Sequence, residues 1–96
     1  MFCDMDLSQA RNRIEEIDRQ MAALFEERME CAKSIAEYKK VNNLPVFDAV
    51  REKQLLNKNS EYIHDEVLKD HYKEFLTSVM DISKKYQRHV IDRSTQ

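Results

Sequence analysis

Residues 6–45 read DLSQARNRIEEIDRQMAALFEERMECAKSIAEYKKVNNLP, and this stretch decides the fold. It opens on Asp6-Leu7-Ser8-Gln9, the outline of a capping box with Asp6 as N-cap and Gln9 three positions later. No helix breaker follows until Asn42-Asn43-Leu44-Pro45. Within that span Leu7, Ile14, Met21, Arg28 and Ile35 recur every seven residues, and Ala10, Ile17, Leu24, Cys31 and Tyr38 interleave with them. Together they make a 3-4 heptad seam. At about 1.5 Å per residue such a helix spans roughly 50 Å, whereas a domain of this mass is nearer 30 Å across. Its apolar stripe therefore outruns what its own chain can cover, and a second molecule, hence a dimer, is expected.

Working outward, Pro45 ends the first helix, and Asn42 and Asn43 supply the turn that glycine would normally make. Asp48 is placed to cap a short second helix, with Val50, Leu55 and Leu56 turned inward. A connector leads to a third helix starting near His64 or Asp65. It carries Leu68, Tyr72, Phe75, Val79, Ile82, Tyr86 and Val90 at helical spacing, and Arg93-Ser94-Thr95-Gln96 reads as a frayed tail. The expectation is one all-α domain over 1–96, with helices at about 7–41, 49–59 and 65–91 and a very long first helix. The whole chain has no glycine and one proline, which argues against hairpins and a β-rich fold.

Bulk properties exclude several function classes. The net charge is −2 and the bases are scattered, so nucleic acid is not an expected partner. No apolar run approaches the roughly 20 residues of a membrane span. Met1-Phe2-Cys3-Asp4 has neither the basic nor the apolar region of a signal peptide. Cys3 and Cys31 sit at no metal-ligand spacing and make a poor disulfide framework, so a reducing cytoplasm is the default compartment. His64, His71 and His89 are at no ligand spacing either. Cys31 reads as a small buried apolar residue and Met21, Met29 and Met80 as core filler. There is no Gly-rich phosphate loop, no HExxH and no Ser/His/Asp arrangement.

Some residues do not belong in a seam. Arg28 takes an apolar position, where it either snorkels and sets register or serves a site. Lys39 lies 11 residues on, about three turns and nearly the same face, roughly 16 Å along the axis, so the two cations can bracket a small anion. Arg11 precedes Arg28 by 17 residues, about 25 Å, too far for one small molecule in one chain. An antiparallel partner helix brings the two together; otherwise Arg11 is a solvated first-turn residue. Asp48, Arg51 and Glu52 share a face at the start of the second helix, either as a cap with a surface ion pair or as polar site groups. Ser83 and Gln87 are four apart beside the apolar line of the third helix, where they satisfy each other or bind something else.

Arg11, Ile14, Ile17-Asp18, Leu24, Glu27-Arg28, Ala32, Lys39, Pro45-Val46-Phe47-Asp48 and Arg51-Glu52 closely resemble the all-helical class of chorismate mutases. The likeness runs without gaps from about Leu7 to Leu56 and continues through Ser83 and Gln87. It implies an intertwined homodimer with two equivalent sites, each taking one arginine from the neighbouring chain, here Arg11. The other site positions fall on Arg28, Lys39, Asp48, Arg51, Glu52, Ser83 and Gln87. The resemblance implies that chorismate is converted to prephenate by an intramolecular Claisen rearrangement, a step of aromatic amino-acid biosynthesis expected to use no metal or cofactor. By the resemblance Arg11 and Arg28 clamp the carboxylates, while Lys39 and Gln87 donate to the ether oxygen. Glu52 with Asp48 orients the ring hydroxyl, and Arg51 and Ser83 support the carboxylate end or the Asp48 neighbourhood. Some relatives carry glutamate where this chain has Gln87. Two other readings stand beside it: an isochorismate pyruvate lyase on the same scaffold, and a non-catalytic helical dimerisation module.

Overall fold

The computed structural model describes residues 6–94, with no side-chain description for Ser94. Among them are three α-helices and no strands: α1 (Leu7–Val41), α2 (Ala49–Ser60) and α3 (Glu66–Ser94). Met1-Phe2-Cys3-Asp4, read above as lacking a signal peptide, lies outside the described residues, as do Thr95 and Gln96 of the expected tail. Arg93 and Ser94 are helical rather than frayed. A basic residue in the last turn of α3 suits the negative end of the helix dipole.

The helix ends are set by local chemistry. At the start of α1 the Gln9 N–H donates to Asp6 Oδ1 at 2.8 Å and the Asp6 N–H to Gln9 Oε1 at 3.1 Å, a reciprocal capping box. At its end Asn43 takes the left-handed conformation, φ 54°. The Leu44 N–H reaches the Lys39 carbonyl at 2.8 Å and the Asn43 N–H reaches that of Lys40 at 3.2 Å, the pair of bonds of a Schellman motif. Asparagine here does what glycine usually does, at some steric cost. Asp48 caps α2 by accepting from the Arg51 N–H, and Asp65 caps α3 by accepting from the Val67 N–H.

The chain forms two compact units, Met1–Cys31 and Ala32–Gln96, and α1 contributes to both. In the first, the large apolar side chains of the heptad stripe are exposed, Leu7 at 66% and Leu24 at 63% with Ile14, Ile17 and Met21, while Ala10 is half-buried. Among the described residues of this unit, Met29 is the buried apolar one. Cys31 is exposed, not buried as the seam pattern suggested, and Met21 is not core filler within the single chain. Both lie on the stripe that outruns the chain.

In the second unit α2 packs on α3, and Ala32, Ala36, Leu76 and Met80 are buried with Ser60, Ser83 and Gln87. The buried line of α3 is thus Leu76-Met80-Ser83-Gln87, a helical stripe, and not the more apolar Leu68-Phe75-Ile82 line, which stays exposed. No large side chain among the described residues is fully buried.

Candidate active site

The polar residues of the second unit converge on two seams, one at the loop before α2 and one where α2 meets α3. Lys39, half-buried in the last turns of α1, donates from Nζ to the Val46 carbonyl at 2.8 Å. The bond spans only seven residues because the Schellman turn and Pro45 fold the chain back past the end of α1. An ammonium has three N–H donors, so two remain.

Asp48 and Arg51 are exposed, and their link is the cap from Asp48 Oδ1 to the Arg51 backbone, not an ion pair between side chains. Glu52, one turn into α2, points toward α3. Its Oε2 stands 3.0 Å and its Oε1 3.3 Å from the Lys84 Nζ. Asp81, one turn earlier on α3, lies 3.3 Å from the same nitrogen. The Phe47 ring lies under it with the centroid at 4.7 Å. The hydrogen bond that Lys84 donates to Glu52, and then that to Asp81, hold its ammonium above the ordinary 10.5 against the opposing effect of desolvation. With the folded value raised, this contribution to stability is fully present below pH 10.5 and fades as pH climbs through the raised value.

Beside Lys84, Ser83 and Gln87 are each only 7% exposed. Gln87 Nε2 donates to Ser83 Oγ at 3.1 Å, so the pair partly satisfies itself. The Gln87 Oε1 is buried with no partner among the described residues. A half-satisfied amide in such a place costs free energy of roughly 1–3 kcal/mol with no return to the fold.

Arg11 and Arg28 belong to the first unit, Arg11 exposed and Arg28 half-buried. They sit on one helix about 25 Å apart along its axis. The structure therefore brings together Ser83 and Gln87 directly, draws Glu52 to α3 through Lys84, and ties Lys39 to the loop before Asp48.

Lys84 escaped the sequence reading. Its i, i+3 relation to Asp81 resembles any solvated helix pair, and its partner Glu52 is 32 residues away. A separate cleft of about 860 Å³ opens between the last turns of α1 and α3, lined by Lys33, Glu37, Tyr86, His89 and others, and none of the expected site residues borders it. No described helix is long and apolar enough to cross a membrane. Among the described residues no three His, Cys, Asp or Glu side chains are grouped to hold a metal ion.

Comparison with known proteins returned no match among curated proteins and none among solved structures. A family profile, chorismate mutase type II, matches residues 10–88. Every expected site position, from Arg11 to Gln87, falls inside that segment. With most of its length matched and three helices of which the first is very long, the chain belongs to the chorismate mutase type II family, whose activity is the isomerisation of chorismate to prephenate.

Proposed function

We propose that this chain acts as a single domain in a homodimer, rearranging chorismate to prephenate in a cationic site that two chains complete. The observation that carries the reading is Gln87, buried against Ser83 with an amide only half satisfied. A buried polar group without a full set of partners is a place where a ligand can supply the missing one.

The reaction breaks an ether C–O bond and forms a C–C bond within one molecule, so no nucleophile or proton shuttle is required. What lowers the barrier is holding the enolpyruvyl arm over the ring and stabilising charge on the ether oxygen as it departs. Lys39 suits the second task, because its Val46 anchor fixes the nitrogen and leaves two N–H donors. Gln87 is its partner in that task. Turning its amide by 180° lets the Ser83 hydroxyl donate to Oε1 and frees both N–H groups for the substrate. Arg28, and Arg11 of the second chain, clamp the two carboxylates with the guanidinium fork. Asp48 and Glu52 orient the ring hydroxyl, and Arg51 supports the carboxylate end or the Asp48 neighbourhood.

The dimer is supported by the bare stripe of the first unit. Leu7, Ile14, Ile17, Met21 and Leu24 lie along one continuous helix, and an exposed apolar line of that length calls for a partner. A cytoplasmic setting suits the exposed free thiol of Cys31. The activity belongs to aromatic amino-acid biosynthesis, on the shikimate pathway.

The test is loss of chorismate absorbance in the ultraviolet, with Arg28→Ala as control. Rapid conversion to prephenate, lost in the variant, supports the reading. A folded protein that leaves chorismate untouched but releases pyruvate from isochorismate replaces it with the lyase. No turnover of either leaves the dimerisation module.

Gln87 adds a pH prediction. An amide donates without first taking up a proton, whereas a glutamate in its place must be protonated. We expect kcat to hold within about twofold between mildly acidic and neutral conditions in the wild type. Gln87→Glu should fall steeply across the same range, and a steep wild-type decline above pH 6 contradicts the assignment.

A further inference from the structure

We propose that Lys84 is a positioning residue for this site: by gripping Glu52 and Phe47 it fixes where the start of α2 presents its polar groups. The proposal rests on the chorismate reading and extends it to a residue outside the clamp.

Lys84 differs from the pairs Arg13–Glu16 and Lys69–Glu66, which each join neighbouring turns of one helix. Arg13–Glu16 has both side chains more than half exposed. Pairs of that kind contribute little. Lys84 and Glu52 are 18% and 23% exposed and join residues 32 apart. The same nitrogen also meets Asp81 and the face of Phe47, so one ordered side chain makes contacts on α3, on α2 and on the loop between α1 and α2. Phe47 lies between Val46, whose carbonyl receives Lys39, and Asp48, which caps α2. Adjacent loop residues are thus held by two lysines from opposite ends of the second unit's sequence.

The charge has a role too. A carboxylate at Glu52 facing a dianionic substrate repels it, and Lys84 offsets that charge while leaving Glu52 able to accept a hydroxyl. Removing Lys84 should therefore weaken binding more than it slows the chemical step.

The experiment compares Lys84→Met, Lys84→Arg and Glu52→Gln singly, with Lys84→Met/Glu52→Gln as the double. We expect Lys84→Met to raise KM about tenfold with kcat within about threefold, and Lys84→Arg to recover most of the loss. In the Glu52→Gln background the same Lys84→Met change should alter KM by less than about twofold, because the two act through one another. Lys84→Gln serves if the methionine variant does not fold. Without substrate, the Lys84 ammonium titration followed by NMR should fall toward its ordinary value in Glu52→Gln. Additive losses in the double variant, or a kcat loss that Lys84→Arg does not recover, overturn the proposal while wild-type turnover stands. A wild type inactive on chorismate overturns the functional reading itself, and the proposal with it.

Discussion

Replacing Lys39 with alanine is expected to lower kcat by about 10³-fold, with a much smaller change in KM. The ether oxygen carries little charge in bound chorismate and much more in the transition state, so a donor aimed at it strengthens as the reaction proceeds. Lys39 is suited to this because its ammonium is anchored on the Val46 carbonyl at 2.8 Å instead of sweeping through solvent. The anchor means that little reorganisation is needed at the moment of bond breaking. Lys39→Arg should not restore the rate, since a planar fork cannot occupy both the carbonyl and the ether positions that a compact ammonium serves. Steady-state rates on chorismate decide it: an unchanged kcat in the alanine variant removes Lys39 from the chemistry.

Arg11→Ala and Arg28→Ala, each prepared alone, should lose roughly 10²-fold or more in kcat/KM, because each leaves a substrate carboxylate without its bidentate partner. Mixed after unfolding and refolding together, the two inactive proteins should regain about a quarter of the wild-type activity. The arithmetic follows from two-fold symmetry. Half of the randomly formed dimers contain one chain of each kind, and in these one site has both arginines while the other has neither. Recovery of that size requires Arg11 to act across the interface. If both arginines served a site within one chain, mixing would restore nothing, and the 17-residue separation on α1 would need another explanation.

The features that were legible in the sequence are those decided within a few residues. The Asp6–Gln9 capping box, the asparagine turn at the end of α1 and the Asp48 cap are local, and each has hydrogen bonds in the structure. The length of α1 was legible because nothing between Gln9 and Asn42 breaks a helix. The inner face of α3 was not. Hydrophobicity favours Leu68, Phe75 and Ile82, yet the line buried within the chain is Leu76, Met80, Ser83 and Gln87, which includes two polar residues. A pattern of apolar residues cannot say which of two stripes meets the chain's own helices and which is left bare. Cys31 illustrates the same ambiguity on α1, since a seam position reads as buried whether its cover is the same chain or another. Lys84 was invisible for a different reason: its contacts with Glu52 and Phe47 join residues far apart in sequence, which only the packing of α2 on α3 brings near.

The bare stripe of the first unit has a consequence at the level of dose. On the proposed reading, a chain that meets no second copy lacks Arg11 at its site as well as the cover for Leu7, Ile14 and Leu24. Catalytic capacity then scales with the square of chain abundance at scarcity and linearly only once pairing saturates. A cell making few copies has less activity than the copy number suggests, and a modest rise in expression yields more than a proportionate rise in flux. The same surface that leaves the lone chain incomplete thereby acts as a threshold on when the reaction is switched on.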